Sequence, residues 1–571
     1  MKIAVLVKQV PGSESVLPIN EGQSWINEDP VTFVMNPPDN FALEEALLIK
    51  ERKGEGEVVV VSMGPNRVQK VIREGLAKGG DRGIHIEEDE PIETDPLLIA
   101  KRFAAILKDE NFDLVLTGLQ SDDTGMGQTG VLLGEILGMP TATLAIETDI
   151  QGESIRLKRE LESGWFQWVQ FPLPASVSIQ SGLNTPRYPS LKGIMGAKKK
   201  EIKTVLGSEL DASSRSQSID KVFVSQTSKQ TEVIDGDVDV AVQRIAEILR
   251  SEIKVVYFMN ILVVLEDNQG SLHRLSREAV AGAQKLGGSV TALAIGKNAG
   301  SLASELSSYE LEEILTVEHD LLSSYSADGY SEVVTQVIQS KSPKTIVVGH
   351  TYQTRDFMPR VSAKLDIPFI PDIISLSDEG FVKQVLNAKL NASVSSESDQ
   401  MILSFQSAAF NDEEMITGSS TITTFDVELD VSSVRSTSEE PFQEAAGDVD
   451  LENAELLVSV GRGIEKEENV HLAFDLAEVI GAEVSASRPV VDSGWVDSFR
   501  QVGSSGHNVA PKLYFSLGVS GAIQHVVGMK GSKNIIAINK DPEAPIFELS
   551  DYAIVGDVLE IVPKLIEALK N

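Results

Sequence analysis

The sequence contains an internal repeat, which restricts the possible folds more than any other feature. Three segments of the first half recur roughly 230 residues later, in the same order and each ending at a glycine or a proline. The matched positions are Gly64 after VVVVSM and Gly296 after VTALAI, Gly118 after DLVLT and Gly349 after KTIVV, and Pro140 after ILGM and Pro368 after KLDI. We therefore expect two copies of one domain, joined by the fusion of two related subunits, with Met259 near the old start of the second copy.

Each copy alternates short β-branched runs with amphipathic stretches of helix length. KIAVLVK, NFALEEALLIKER, EVVVVSMG and VQKVIREGLAKG follow one another in the first copy. This alternation is typical of βαβ units, which form a parallel sheet with helices on both faces. The predicted fold class is α/β, with two related parallel-sheet domains of nucleotide-binding type and a C-terminal, doubly wound α/β domain.

Changes in composition divide the chain into five segments. Residues 201 to 257 are rich in Ser, Thr, Asp and Gln, and a polar stretch, STSEEPFQEAAGDVD, follows the second copy. Polar stretches of this kind are typical of arms and linkers between packed domains. The predicted segments are a first α/β domain at 1–200, an arm and fusion linker at 201–257, a second α/β domain at 258–435, a linker at 436–450 and a third α/β domain at 451–571.

Composition excludes several classes of function. The net charge of −35 repels phosphate backbones and anionic lipids, which argues against nucleic-acid or membrane-surface binding. The absence of cysteine excludes disulfides, cysteine-ligated metal centres and thiol catalysis, and it fits a reducing compartment. No run approaches the roughly 18 apolar residues that span a bilayer. We expect a cytoplasmic protein that is not embedded in a membrane, has no metal site and needs an organic cofactor for any redox chemistry.

The two copies differ at the end of one strand, where an α/β sheet binds its ligands. The first copy has GLQSDDTGMGQTG at 118–130, whereas the second has GHTYQTRDFMPR. Glycines at the carboxyl end of a strand allow backbone amides to approach a phosphate or a ring. The pattern favours a ligand site in the first copy and a scaffold role for the second, although the segment alone also fits a solvated loop.

In the third domain, polar groups follow four separate strand-like runs. They are GRG after LLVSV, Ser487-Arg488 in SASRP, Ser504-Ser505 in QVGSSGH, and VSGAIQH after KLYFSLG. A helix beginning near Ser520 would present its positive end to a group that becomes anionic, with Gln524 and His525 as hydrogen-bond donors. Taken singly, each motif also fits a surface ion pair, a core histidine or an ordinary turn. Their convergence at strand ends favours a binding site.

These motifs resemble the electron-transfer flavoproteins. INKDPEAPIF, SASRPVVDSG and LGVSGAIQH are similar to the FAD-binding domain of the α subunit of that family. KQV, MNPPDNFALEEAL, GLQSDDTGMGQTG and NTPRYPSLKGIMG are similar to its β subunit. The resemblance covers nearly the whole chain and identifies it as a single-chain fusion, with the β-like part first and the α-like part second.

The resemblance implies an FAD site in the third domain. Arg488, Ser505 and His525 would tune the flavin, and Ser504-Ser505 stands where the family commonly has Gln-Thr. The residues implied as FAD contacts are Arg462, Ser487, Arg488, Val502, Gly503, Ser504, Ser505, Ser520, Gly521, Ala522, Ile523, Gln524, His525, Asn539, Asp557 and Val558.

The resemblance also implies a structural AMP in the first copy and a docking loop for partner proteins. Leu191, in RYPSLKGIM, would be the apolar anchor of that loop. The residues implied as AMP contacts are Leu6, Asn36, Pro37, Pro38, Asp39, Met63, Gly118, Asp123, Thr124, Gly127, Gln128 and Thr129.

Three functions remain open at this point. The first is an electron carrier that takes electrons at FAD from acyl-CoA or related flavin dehydrogenases and passes them to a membrane quinone oxidoreductase, with no reaction of its own beyond electron transfer. The second is a bifurcating member of the family, in which a second FAD replaces AMP and NADH is oxidised. The third is a nucleotide-binding scaffold without redox activity. Thr129, whose hydroxyl can bond a terminal phosphate, favours AMP and therefore the first function.

Overall fold

The computed structural model describes residues 1–89, 95–210, 215–224, 260–377, 380–442, 451, 454–503, 506–507 and 509–570. The chain forms two compact units. The base unit comprises residues 1–160, 167–386 and 390–441, and the C-terminal unit comprises residues 161–166, 387–389 and 442–571. Met259, most of the predicted arm and residues 443–450 of the predicted linker lie outside the described residues. Within those residues, no helix combines the length and the apolar character needed to cross a membrane.

The first copy and the segment after it supply twelve strands and five helices to the described part of the chain. The strands are β1 (Lys2–Leu6), β2 (Gln9–Pro11), β3 (Phe33–Met35), β4 (Glu57–Gly64), β5 (Arg82–Glu87), β6 (Leu114–Gly118), β7 (Thr141–Gln151), β8 (Ser154–Glu160), β9 (Phe166–Pro172), β10 (Ala175–Ile179), β11 (Ile202–Leu206) and β12 (Gln217–Phe223). The helices are α1 (Pro37–Lys53), α2 (Gln69–Lys78), α3 (Pro96–Leu107), α4 (Thr129–Ile136) and α5 (Leu191–Ala197).

The second copy follows the same plan. Its strands are β13 (Asn260–Val264), β14 (Asp267–Asn268), β15 (Ser271–Leu272), β16 (Ser289–Ile295), β17 (Glu313–Val317), β18 (Thr345–Gly349), β19 (Phe369–Ser377), β20 (Gly380–Val385), β21 (Leu390–Ser396), β22 (Met401–Phe405), β23 (Ile422–Thr424) and β24 (Thr437–Ser438). Its helices are α6 (Arg274–Leu286), α7 (Ala299–Leu306), α8 (Ala327–Lys341) and α9 (Tyr352–Leu365).

The two large sheets of the base unit have equivalent strand orders. The first runs β11-β5-β4-β1-β6-β10-β7-β8-β9-β24, and the second, in the same sense, runs β23-β17-β16-β13-β18-β22-β19-β20-β21-β12. The central strands of both sheets are parallel. In the first sheet, the buried side chains of β1 and β4 alternate between two apolar clusters, one with α1 and α2 and the other with α3 and α4. Helices therefore cover both faces, as the alternating sequence predicts.

The copies exchange edge strands. β12 follows the first copy but pairs antiparallel with β21 of the second sheet. β24 follows the second copy but pairs antiparallel with β9 of the first sheet. β12 belongs to the predicted arm and β24 to the predicted linker. Both segments therefore contribute a strand that joins one copy to the sheet of the other.

The C-terminal unit contains a doubly wound α/β domain. Its strands are β25 (Leu456–Val460), β26 (Glu483–Ser487), β27 (Gln501–Val502), β28 (Leu513–Leu517), β29 (Ile535–Asn539) and β30 (Tyr552–Val555). Its helices are α10 (His471–Ile480), α11 (Arg488–Asp492), α12 (Ile523–Val527) and α13 (Val558–Lys570). The strands are all parallel, in the order β27-β26-β25-β28-β29-β30. The predicted α/β fold class is confirmed.

Candidate functional site

The strand order of the C-terminal unit reverses between β25 and β28, and this position is where open α/β sheets bind ligands. Gly461 follows β25, and Gly518 follows β28. A Cβ atom on Gly461 would lie 2.3 Å from the carbonyl oxygen of Gly518, and one on Gly463 would lie 2.6 Å from the Gly518 Cα. The GRG motif is therefore required by the close approach of two backbones, in which the Gly461 and Gly463 amides donate to the Leu517 and Gly518 carbonyl oxygens, each at 2.9 Å.

The structure brings the predicted FAD residues to this single edge of the sheet. Because all six strands are parallel, the residues after each strand lie at the same edge. Ser504 and Ser505 lie outside the described residues, as does the side chain of Ile523. The other positions are Arg462 after β25, Ser487 and Arg488 at the end of β26, Val502 and Gly503 at the end of β27, Ser520, Gly521, Ala522, Gln524 and His525 after β28, Asn539 at the end of β29, and Asp557 and Val558 after β30.

Arg488 is available to a ligand. Its side chain is 68% exposed, and its Nε lies 3.4 Å from the Asp492 carboxylate, one helical turn further along α11. An exposed ion pair of this kind contributes little to stability. The guanidinium can therefore turn towards an anionic or aromatic group at small cost.

His525 is buried, unlike Arg488. The hydroxyl of Tyr514 on β28 lies 2.8 Å from its Nε2. Burial lowers the pKa of His525 to about 4, and the nearby backbone of Val502 opposes that shift. The imidazole is therefore neutral at physiological pH, and any donor role expected of His525 belongs to a neutral ring and not to a cation.

The helix expected to begin near Ser520 begins three residues later, at Ile523, and is short. α12 extends only from Ile523 to Val527, and Ala522 at its N-cap provides no side-chain hydrogen bond. A helix of this length has a weak dipole, because the macrodipole is a sum over aligned peptide units. Gly528 ends it, since a Cβ there would lie 2.3 Å from the Gly503 nitrogen. The backbone groups of the loop, rather than a long helix, are what this segment offers a ligand.

The last two strands contribute residues that organise their own loops. The Asn539 side chain donates to the carbonyl oxygen of Val519 at 2.9 Å, which ties β29 to the loop after β28. The Asp557 carboxylate accepts from the Leu559 amide at 2.9 Å and pairs with Lys540 at 3.0 Å. The hydrogen bond from the Leu559 amide and the ion pair with Lys540 both lower the pKa of Asp557, and the hydrogen bond has the larger effect. Both residues therefore shape the edge whether or not they touch a ligand.

A second candidate site is a cavity of about 1300 Å³, open solvent at its mouth included, in the first copy. Pro37 and Pro38 form the first turn of α1, between the lining residues Asn36 and Asp39. The predicted AMP residues that line the cavity are Leu6, Asn36, Asp39, Met63, Gly118, Asp123, Thr124, Gly127, Gln128 and Thr129.

Asp39 fixes the strand ends that form this cavity. Its carboxylate accepts from the Lys8 amide at 2.7 Å and from the Gly118 amide at 3.1 Å. Gly118 has to be a glycine, because a Cβ there would lie 2.4 Å from the Asp39 Oδ1. Burial raises the pKa of Asp39 to about 7, against the opposing effect of these hydrogen bonds. The Lys8 ammonium pairs with Asp123 at 2.7 Å, on the other side of the loop.

The loop from 118 to 130 is held by the second copy, which sequence reasoning did not predict. The buried Lys383 ammonium on β20 donates to the Thr124 carbonyl at 2.8 Å, and the Leu386 amide donates to the Asp123 carbonyl at 2.5 Å. The Gln128 side chain donates to the Phe369 carbonyl at 3.1 Å. Burial lowers the pKa of Lys383 to about 8, against the attraction of Asp372 and Asp123. No local pattern around FVKQV separates this lysine from an ordinary strand residue.

Leu191 lies on the surface. It is 76% exposed at the start of α5, where the Ser190 hydroxyl caps the helix by accepting from the Gly193 amide at 3.0 Å. Tyr188 nearby is 94% exposed. Arg187 anchors the preceding segment to α1 through Glu44 at 2.8 Å and Glu51 at 2.6 Å. The alternative that Leu191 packs in the core is excluded.

The unusual pKa of Asp39 leads to a prediction about pH. Its value in the folded protein, about 7, lies above the ordinary value of 3.8, so the folded protein binds more protons between these two pH values. The contribution of Asp39 to stability is therefore present below about pH 4 and is lost as the pH rises through 7. In Asp39→Asn this decline disappears, which is seen by comparing melting temperatures of the two proteins from pH 4 to 8. Parallel curves, differing by a constant offset, would contradict the assignment.

The comparisons with known proteins agree with this geometry. A family model described as "Electron transfer flavoprotein domain" matches residues 24–209 and 261–430, one match for each copy, and one described as "Electron transfer flavoprotein FAD-binding domain" matches residues 450–530. Proteins named "Electron transfer flavoprotein subunit alpha" are similar to this chain. The one from Bacillus subtilis is 38% identical over 318 residues, 54% of this chain and 97% of the relative. The one from Thermoanaerobacterium thermosaccharolyticum is 34% identical over 328 residues, 55% of this chain and 98% of the relative.

Proposed function

Because the chain belongs to the electron transfer flavoprotein family, as a fusion of a β-like and an α-like part, we propose that it carries electrons from flavin dehydrogenases to a membrane quinone oxidoreductase. The donors would be acyl-CoA dehydrogenases or their relatives. The observation that supports this most directly is the accessibility of the switch point, where Arg488 is 68% exposed. An accessible flavin edge suits exchange of electrons with another protein, whereas chemistry on a small substrate is favoured by an enclosed pocket.

The residues of the switch point fit FAD. Gly461, Gly463 and Gly518 carry no side chains, so the backbone of the switch point is open to the close approach of a pyrophosphate, although their own amides donate to backbone carbonyl oxygens. Arg488 would lie against the flavin ring, and Ser487 and Gln524 offer polar groups at the same edge of the sheet. When bound, the flavin accepts electrons from a donor protein and passes them on one at a time.

We propose AMP as the ligand of the cavity in the first copy. The cavity brings together glycines and small polar side chains at the end of β6 and the first turn of α4, where Thr129 is the first residue. Backbone amides at such a position bind phosphate. The ligand would then stabilise the base unit, because the loop that binds it also receives Lys383 and Leu386 of the second copy.

A second candidate, the bifurcating member with two FAD molecules, is favoured by the lining of the same cavity. Trp25, Phe33 and Phe103 lie among its lining residues and could stack on a second flavin. Thr129 and the polar loop keep AMP as our first choice.

Two measurements on the purified protein separate these functions. Chromatography of the nucleotides released on denaturation should give one FAD and one AMP per chain. Anaerobic mixing with an acyl-CoA dehydrogenase and its substrate should then bleach the flavin, while NADH should not. Two FAD with reduction by NADH would establish the bifurcating enzyme, and a protein without flavin would establish the scaffold. The cytoplasmic location expected from the sequence stays a prediction.

We propose α5 as the docking site for partner dehydrogenases, which gives a prediction for Leu191. Truncating an exposed apolar anchor at an interface typically costs more than about 1 kcal/mol of binding. In Leu191→Ala, the KM of the dehydrogenase for this carrier should rise several-fold, with FAD content and melting temperature unchanged. Val431→Ala is the matched control, since Val431 is also 76% exposed and lies in the second copy. Equal effects of the two substitutions would remove α5 as the docking site.

A further inference from the structure

The contact between Tyr514 and His525 is the feature of the C-terminal unit that the proposed function leaves unexplained. The phenol hydroxyl lies 2.8 Å from the His525 Nε2, and the ring planes meet at 60° with their centroids 6.1 Å apart. Tyr514 is fully buried, and His525 is 6% exposed. Two buried polar groups of this kind leave each other few alternative partners, so the direction of their hydrogen bond determines the protonation of the ring.

The surroundings of Tyr514 favour donation from its hydroxyl to His525. Ser485, Ser459 and Ser516 form a row across three neighbouring strands, in register and fully buried, below the phenol. The hydroxyls of Ser459 and Ser485 lie near the Tyr514 oxygen, yet neither makes a hydrogen bond of good geometry within the described residues. The Tyr514 proton therefore has its well-aligned acceptor at Nε2 of His525.

The other ring nitrogen supports the same assignment. The backbone of Val502, at the end of β27, lies close enough to His525 to favour a proton there, although Nδ1 makes no hydrogen bond of good geometry within the described residues. A lone pair on Nδ1 would face that backbone acceptor, whereas an N–H would be attracted by it. Burial keeps the ring neutral, so it has one proton to place.

We propose that Tyr514 is a positioning residue of the FAD site, which holds His525 in the tautomer with its proton on Nδ1 and directs that N–H at the turn formed by Val502 and Gly503. This turn packs tightly on the segment bearing His525, because a Cβ on Gly503 would lie 2.7 Å from the Gln524 carbonyl oxygen. The turn ends β27 at the switch-point edge. The ring therefore couples the loop after β28 to the loop after β27.

The consequence is an uncharged hydrogen-bond donor that is fixed next to the Val502–Gly503 turn of the proposed FAD site. A donor held in one tautomer needs no rearrangement when the ligand gains an electron, which is how preorganised groups stabilise developing charge. Without the phenol hydroxyl, nothing opposes a proton on Nε2, and the N–H directed at the Val502–Gly503 turn is lost for part of the molecules. This consequence for the flavin depends on the proposed FAD function, whereas the tautomer does not.

The tautomer is tested directly by long-range ¹H–¹⁵N correlation spectra of protein labelled with ¹⁵N-histidine, with and without FAD. His525→Asn identifies the signal of His525 among the seven histidines. We expect the wild-type signal to show a protonated Nδ1 in both states, and Tyr514→Phe to move the proton wholly or partly to Nε2. A protonated Nε2 in the wild-type protein overturns the proposal, and this holds even if Tyr514→Phe fails to fold.

The effect on the flavin is tested by measuring the two one-electron midpoint potentials of the FAD-loaded protein. Tyr514→Phe should shift their separation by about 59 mV, a tenfold change in the equilibrium constant. Tyr330→Phe, which removes another buried phenol hydroxyl 3.2 Å from the Ile295 carbonyl oxygen, should leave the separation unchanged. In the His525→Asn background, where an amide N–H has no tautomer to fix, Tyr514→Phe should add nothing. The same shift in both backgrounds overturns the proposal.

Discussion

Replacing Arg360 with methionine is expected to destabilise the base unit by about 3–5 kcal/mol, the usual cost of removing one partner from a buried ion pair. Arg360 is 1% exposed. Its guanidinium donates to the Asp328 carboxylate at 2.7 Å and to the Asp356 carbonyl oxygen at 3.2 Å. The guanidinium also donates to the Thr141 carbonyl oxygen at 2.7 Å, which links the second copy to the first. Methionine fills a similar volume but leaves two carboxylates without this cation, that of Asp328 and that of Asp356, which lies 3.8 Å from the guanidinium.

The two carboxylates do not lose all their partners in this variant. Arg435 remains 3.0 Å from Asp328, and Arg159 remains 2.5 Å from Asp356. Burial alone would raise the pKa of Asp328, but Arg360 and Arg435 together hold it below its usual value. Without Arg360, Asp328 therefore binds a proton more readily. We expect the loss of stability in Arg360→Met to be greater at pH 8 than at pH 5, since protonation of Asp328 at the lower pH removes a charge that Arg435 alone compensates less well.

Lys364→Met provides the control, because Lys364 lies one turn further along α9. Its ammonium is 2.9 Å from Glu332, and both side chains are 28% exposed. Such a pair contributes about 0–1 kcal/mol. Urea unfolding followed by tryptophan fluorescence, with Trp25 and Trp168 in the base unit, gives the transition midpoints of both variants. Similar midpoints would show that the buried network contributes no more than a surface pair.

The fold could be predicted from the sequence because its determinants are local. Alternating apolar runs specify βαβ units, and the parallel arrangement then brings every strand end to one edge, whichever strands are neighbours. This explains why the sequence predicts one site from motifs as distant as GRG at 461–463 and VSGAIQH at 519–525 without the strand order, whereas Asp557 is implied only by the family resemblance. Gly461, Gly463 and Gly518 are informative for a related reason, since they mark a place where two backbones meet.

The contacts between the copies could not be predicted in this way. Lys383 binds a carbonyl 259 residues earlier in the chain, and Arg360 binds one 219 residues earlier. Each side chain occupies a strand or helix position that a solvated lysine or arginine would fill equally well. The local sequence also does not predict the exchange of β12 and β24 between the sheets, because an edge strand has the same local pattern whichever sheet it joins. Only the packing of the two copies distinguishes these cases.

The short helix after β28 shows how packing overrides a local signal. The sequence predicts a helix that begins near Ser520, yet α12 begins at Ile523 and ends at Val527, where Gly528 lies against the backbone of Gly503. Burial changes the chemistry of His525 in the same way. Histidine after a Ser-Gly turn is typical of a ligand-facing donor, but contact with Tyr514 and Val502 makes it a buried neutral ring. The sequence predicts a site at this edge of the sheet, and packing determines how the groups there interact.

Gly521→Ala is expected to weaken FAD binding by at least a hundredfold, which is the largest effect on the cofactor that we predict from a single methyl group. Gly521 has φ +84°, and a Cβ there would lie 2.2 Å from the Ile546 nitrogen. The Ile546 amide donates to the Ser520 carbonyl oxygen at 3.2 Å, so relief of the clash breaks a contact that holds the loop. Because this loop lies at the switch point, its movement removes backbone groups from the proposed FAD site.

Gly494→Ala separates this clash from backbone strain. Gly494 has φ +73°, but no atom lies within 4 Å of the position that its Cβ would occupy. Alanine there has the cost of a left-handed backbone conformation, about 1–2 kcal/mol, without a steric clash. Titrating each apoprotein with FAD, followed by quenching of flavin fluorescence, gives the two affinities. If Gly494→Ala binds FAD with normal affinity and Gly521→Ala does not bind it, the effect is due to the Ser520–Ile546 contact. Equal affinities would show that the loop after β28 does not bind the cofactor.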